Sequence, residues 1–358
     1  MKKLLGKFLS LIMAFAMVLS LCACGSAKDS GNVAPSAEAD KTEQPSSAAK
    51  AQIVCKLQPG IYAPDSPLDH YYKSLEPALE EAFEGRLDFV LLPQDSIGDA
   101  ELIEQCMMGT CDMICIGDLS FDIISGKIGW AFLPMMYEDY ADVDARYFNG
   151  WVADEMANAL AGMGLIKVGY SEAGFRQVCN NKHEIKSLAD FDGIKLRVAQ
   201  VSYLVDFYAA CGALPVALAN SEVASGIEQG TIDGQDNYFT AFYNLGTLDM
   251  TPYITMLDYL YCANSVCVSQ DFWNSLSADD QELFKKVCME VSASDITYAR
   301  QFEQNLIQEC VDAGSIKVSY PDEAFKEELK QVAMSVWEAE APKYDPDIME
   351  RVFEDFGI

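Results

Sequence analysis

Residues 87–117 read LDFVLLPQDSIGDAELIEQCMMGTCDMICIG. "LDFVLLP" is a short apolar run. Ala100 to Met108 repeats apolar side chains three and four apart, and "CDMICIG" is apolar again and ends on a glycine. That is strand, helix, strand. Upstream, "AQIVCKL" (51–57) reads as another strand. "SPLDHYYKSLEPALEEAFEG" (66–85) places Leu68, Tyr71, Leu75, Leu79 and Phe83 on one helical face, with Gly85 as its stop. The resulting βαβαβ order predicts an α/β fold with a parallel sheet, whose ligand crevices open at the carboxyl ends of the strands.

Farther along, "LIKVGYS" (165–171), "KLRVA" (195–199) and "ALPVAL" (213–218) supply further short strands. From Ser277 onward the pattern is mainly helical, and Ser277 followed by Asp280 forms a capping box with Asp in place of Glu. No internal repeat is visible. The body begins near Ala51 and runs to residue 358, a length that usually divides into two lobes with separate cores.

The first 23 residues combine three lysines, a long apolar run and small residues before a cysteine. This is a secretory signal. A spanning helix is the competing reading, but Phe8 to Leu21 is short for one and lacks a basic stop-transfer flank. Leu21-Cys22-Ala23-Cys24 resembles a bacterial lipobox, so Cys24 is expected to carry the lipid after cleavage. Residues 24–50 are rich in Ser, Ala, Asp, Glu, Pro and Gly, too poor in apolar surface to fold. They predict a tether with an r.m.s. span of about 25–30 Å.

The formal charge is −30. Without Lys2, Lys3 and Lys7 the 25 basic residues fall to 22 against 55 acidic ones, giving −33 for the exported form. Such a surface excludes nucleic acid as a partner and favours solubility. Two of the 12 cysteines belong to the leader and lipobox. The other ten are scattered through apolar runs, which predicts small buried thiols. The spacing of Cys106, Cys111 and Cys115, with no paired His, does not match a zinc site, and no cofactor is predicted.

Catalytic motifs are absent: there is no G-x-S-x-G, P-loop or H-E-x-x-H, and His70 and His183 are the only histidines. A non-enzyme is expected. The conspicuous groups are two arginines, Arg176 in "GYSEAGFRQVCNN" and Arg197 in "KLRV", each beside apolar strand residues. A guanidinium there needs an anion, because burying it alone is costly. It grips a carboxylate through two parallel bonds. An internal Asp or Glu could fill that role as well as a ligand.

The surrounding sequence resembles the solute-binding proteins of tripartite ATP-independent periplasmic (TRAP) transporters, the DctP type. The resemblance rests on "IKSLADFDGIKLRVAQ" and "CGALPVALANSEVASGIEQGTIDGQDNYF", with support from 84–117, 132–150 and 266–288. It implies a two-lobed fold of the type II periplasmic-binding-protein kind, with hinge strands and a long C-terminal helix. Lobe I would comprise 51–173 plus 263–302, and lobe II 174–262 plus 303–358. The lobes would close over a small organic acid and present it to TRAP membrane subunits, with the membrane reached through the lipid anchor. The resemblance implies Arg197 as the main carboxylate-binding group, Arg176 as a second flanking it, and Asn237 as an amide donor. Tyr62, Asp118, Asn220, Tyr238 and Glu172 complete the expected site. His183-Glu184 departs from the basic residue and proline common in the family. Asn220 stands where an apolar or aromatic group is frequent and points toward a polar ligand such as a hydroxy or sugar acid. C4-dicarboxylates, uronates, keto acids and aromatic acids all stay open. Two other classes also stay open: a ligand-presenting sensor subunit of a signalling receptor, and a lipid-anchored hydrolase.

Overall fold

The computed structural model describes residues 52–94 and 97–357. The leader, Cys24 and the tether lie outside them. Ten strands form the sheet: β1 (Ile53–Pro59), β2 (Leu87–Leu91), β3 (Met113–Gly117), β4 (Leu165–Asn180), β5 (Lys195–Val198), β6 (Leu214–Ala217), β7 (Gly234–Tyr238), β8 (Tyr253–Thr255), β9 (Tyr261–Ser269) and β10 (Lys317–Ser319). The main path runs β2-β1-β3-β9-β4-β7-β5-β6, and β8 joins β4 to β10.

The predicted βαβαβ start is present. β1 pairs in parallel with β2 and with β3, linked by α1 (Pro67–Ala82) and α2 (Asp99–Met107). The α1 face named from periodicity is buried throughout. It packs in a core with Leu57, Phe89, Val266 and Phe284. Then follow α3 (Asp118–Ser125), α4 (Tyr140–Val143) and α5 (Trp151–Gly162). The helices α6 (Ser202–Ala210), α7 (Val223–Glu228) and α8 (Phe239–Asn244) connect the strands of the second half. The chain ends with α9 (Gln270–Ser275), α10 (Ala278–Asp312), α11 (Glu323–Glu340) and α12 (Pro346–Phe356). The long helix expected near the C-terminus is α10, of 35 residues. Two more helices follow it.

Two stretches of β4 serve different halves of the sheet. Leu165 to Phe175 pairs antiparallel with β9, whereas Arg176 to Asn180 pairs with β7, and Val178 to Asn180 also with β8. The β4–β9 ladder slips twice, at Lys167/Gly169 and at Glu172/Gly174. Such bulges free backbone groups and bend the strand. Polar side chains of α10 meet both: Ser292 Oγ accepts from Tyr170 N at 2.9 Å, and Arg300 Nε donates to Glu172 Oε2 at 2.7 Å. At the second slip Gly174 has φ +99°, and a Cβ there would lie 3.0 Å from both Glu303 Oε2 and Tyr140 Oη. Only glycine fits that turn without strain.

All ten body cysteines are unpaired, and nine are buried, matching the expected small buried thiols. No helix among the described residues is long and apolar enough to cross a membrane.

Candidate functional site

A cleft of about 240 Å³ opens where the strand ends of the two sheet halves meet. One wall comes from the start of α2 (Gly98, Asp99, Glu101) and the β3–α3 turn (Gly117, Leu119, Ser120). The other comes from Arg176, Arg197, Asn220, Asn237 and Tyr238, with Leu218 behind them. This is the crevice that the strand pattern predicts.

Arg176 and Arg197 are both buried, but their surroundings differ. Arg176 Nε lies 3.1 Å from each carboxylate oxygen of Asp236, and Nη2 lies 2.7 Å from Oδ2. Nη2 also donates to the Asp236 carbonyl, and Nη1 to Asn237 Oδ1. Asp236 further accepts from Tyr259 Oη at 2.8 Å and Tyr208 Oη at 3.3 Å. Burial pulls the Arg176 guanidinium down, yet Asp236 outweighs it and the net shift is upward. Here the internal carboxylate is the partner.

Arg197 has none. Its Nε donates to the Leu218 carbonyl at 3.0 Å, and no described carboxylate lies within ion-pair range of it. Burial first, then the nearby charge of Arg176, pull its guanidinium down to about 10, with Asp236 and Asp99 opposing. The Arg176–Asp236 pair is neutral as a unit, so Arg197 faces the cleft as a buried cation lacking a counter-ion, which is costly unless an anion arrives.

The amide of Asn237 is already engaged. Its Nδ2 donates to Asn220 Oδ1 at 3.1 Å and more weakly to Gln235 Oε1, and its Oδ1 accepts from Arg176 and from Tyr238 N. It therefore orients Asn220 at the cleft wall. Tyr238 is half-buried beside it, and burial raises its phenol.

Three expected residues are not in the lining. Asp118 is buried and accepts from Tyr147 Oη at 2.6 Å; its chain neighbours Gly117 and Leu119 reach the cleft instead. Desolvation raises the Asp118 carboxyl, with Lys167 opposing. Tyr62 packs edge-on against Tyr72 at 5.2 Å between ring centroids. Glu172 is held by Arg300 against α10. Asp99, Glu101 and Ser120 were missed from sequence, although the crevice rule points at the loops after β2 and β3. Ser120 Oγ donates to Asp99 Oδ2 at 2.7 Å and fixes that carboxylate at the wall.

Neither histidine lines the cleft. His70 stacks on Tyr298 at 3.7 Å and contacts Asp295, while Ser171 also donates to Asp295 rather than to the imidazole. Among the described residues no group of three or more His, Cys, Asp or Glu side chains could hold a metal ion.

The sequence matches the model of DctP, bacterial extracellular solute-binding protein, family 7, over residues 60–343. It is 24% identical over 284 residues to the 2,3-diketo-L-gulonate-binding periplasmic protein YiaO of Escherichia coli K12, covering 79% of this chain and 86% of that protein. Among solved structures, the sugar acid binding protein DctPAm of Advenella mimigardefordensis, in complex with galactonate, superposes with a TM-score of 0.79 at 21% identity. It covers 85% of this chain and 97% of that one. A TRAP periplasmic solute binding protein of Sulfurospirillum deleyianum with bound succinate gives 0.77 at 20% identity, covering 86% and 99%. The two-lobed α/β fold is shared with these structures.

Proposed function

The chain belongs to the DctP family of bacterial extracellular solute-binding proteins, and from that premise we propose that it captures a small organic acid anion on Arg197 and delivers it to a TRAP-type membrane transporter. The observation that carries this reading is the unneutralised guanidinium of Arg197 in the cleft, next to an arginine that already has its carboxylate. A ligand carboxylate would supply the missing charge through hydrogen bonds of roughly 1.5–3 kcal/mol each. The cleft volume of about 240 Å³ lies just under the roughly 300–1,000 Å³ of drug-sized pockets, which suits a small acid. The diketogulonate-, galactonate- and succinate-binding relatives support the same class, since each of those ligands carries a carboxylate.

Lobe I is assigned to 51–173 plus 263–302 and lobe II to 174–262 plus 303–358, with the division at the second β4 slip. A ligand that touches both lobes favours the closed population, and the transporter would read that form. Cys24 would tether the body to the membrane. A thermal-shift screen of the protein against organic acids tests the reading: a bound acid raises the midpoint by several degrees at saturating concentration. The expected result is such a shift for the unmodified protein and none for Arg197→Ala. Stabilisation of both alike, or of neither by any acid, overturns it.

A further inference from the structure

We infer that the ligand is a hydroxylated monocarboxylate, and that Asp99 selects it against dicarboxylates and amino acids. This rests on the capture of an acid at Arg197 and deepens it. The cleft is polarised. One wall holds Arg197, while the facing wall holds Asp99 and Glu101. Asp99 is near enough to support the charge of Arg197, and Ser120 holds it in place. A ligand with a carboxylate on Arg197 and a second one at its far end would bring that second charge against two carboxylates. Like charges in a partly desolvated cleft repel strongly.

The cleft also offers donors, on both of its walls. On the Arg197 wall, Asn220 lines the cleft with its Oδ1 taken by Asn237, and its amide N–H groups donate to no described residue. The helix α2 begins at Gly98 with no side-chain cap, leaving first-turn N–H groups at the wall. Acceptors and donors thus both border the cleft. An ammonium group satisfies only the acceptors, and a carboxylate only the donors. A hydroxyl donates and accepts at once, so vicinal hydroxyls answer both sets.

Calorimetric titration of the protein with length-matched acids tests this. The four-carbon probes are erythronate, succinate, butyrate and 4-aminobutyrate; the six-carbon probes are gluconate, adipate, hexanoate and 6-aminohexanoate. The hydroxy acid is expected to bind at least about tenfold tighter than its three counterparts in one series. In Asp99→Asn, which keeps the Ser120 contact available, the margin over the dicarboxylate should shrink by about tenfold. A dicarboxylate, plain alkanoate or amino acid that binds as tightly as the hydroxy acid overturns this inference and leaves acid capture standing. An unchanged margin in Asp99→Asn removes Asp99 from the selection. Failure of every acid in both series sinks the inference and the proposed function together.

Discussion

Asp236 embraces Arg176, with Nε 3.1 Å from both carboxylate oxygens and Nη2 2.7 Å from one, on adjoining antiparallel strands whose register sets Val178 opposite Asp236. The pair decides what its neighbour can do. Neutralised, Arg176 is a framework group, and Arg197 is left as the cation in the cleft without an ion-pair partner among the described residues.

Opposite outcomes are therefore expected for the two arginines. Arg197→Ala removes a buried cation that has no partner, so the fold should hold its melting temperature or gain slightly. Acid binding should weaken by about 10²- to 10⁴-fold, the equivalent of two charged hydrogen bonds. Arg176→Ala strands the buried Asp236 carboxylate and should cost roughly 3–5 kcal/mol of stability. Urea unfolding and calorimetry on both variants check this; a destabilised Arg197→Ala with intact binding reverses the assignment.

Affinity should also follow the charge of Arg197. With its guanidinium pulled down to about 10 by burial and by Arg176, the free site is charged at neutral pH and loses its proton within a reachable range. Binding of an acid is expected to be flat from pH 7 to 9 and to weaken toward tenfold per unit above about 10. Arg197→Lys should weaken binding at every pH, since the forked contact is lost. Calorimetric titration across pH 7–11 reads it. An affinity that holds constant to pH 11 counts against a titrating Arg197.

How much of this was legible in the sequence depends on the kind of signal. The α1 face was readable because Leu68, Tyr71, Leu75, Leu79 and Phe83 repeat at helical spacing and are all buried. Arg176, Arg197, Asn220, Asn237 and Tyr238 were readable from the strand-and-turn motifs and do line one cleft. Which arginine is free was not, because Asp236 lies 60 positions from Arg176 and reaches it only through strand pairing. Asp118 lies off the cleft lining for a local reason: it opens α3, so Gly117 and Leu119 line the cleft while its carboxylate accepts from Tyr147. Asp99 belongs to no motif in the sequence and precedes the helix expected from Ala100, and only the contact from Ser120 at the β3–α3 turn reveals its place.

The α10 face against the second β4 slip carries a pH signature. Burial first pushes the Glu303 carboxyl up to about 8, with Glu172 and Asp258 adding repulsion against the Tyr140 contact. Folded Glu303 thus keeps its proton where the unfolded chain, near 4.5, has lost it. The stability it contributes is whole below the lower value and declines as pH rises to about 8, by at most about 1.4 kcal/mol per unit. Glu303→Gln should flatten that stretch of the profile in urea melts at pH 5–9. Gly174→Ala should cost roughly 1–3 kcal/mol at any pH, because it forces a side chain into positive φ against the same carboxyl. A Glu303→Gln profile as steep as that of the unmodified protein would remove this carboxyl as the source of the pH dependence.

The last prediction concerns rate. An exported chain of charge −33, counted without the leader lysines, repels an approaching anion beyond the reach of a single arginine. Salt shortens the Debye length from about 30 Å at 0.01 M to about 8 Å at 0.15 M, which weakens that repulsion. The contact on Arg197 forms inside the cleft, at short range and partly desolvated, where screening is weaker. Added salt should therefore raise the association rate constant of an acid and change its dissociation little, the reverse of a site that steers its ligand by net charge. Stopped-flow binding at 0.01 and 0.15 M salt decides it. Association that slows with salt would mean that the local field of Arg197 outreaches the acidic surface.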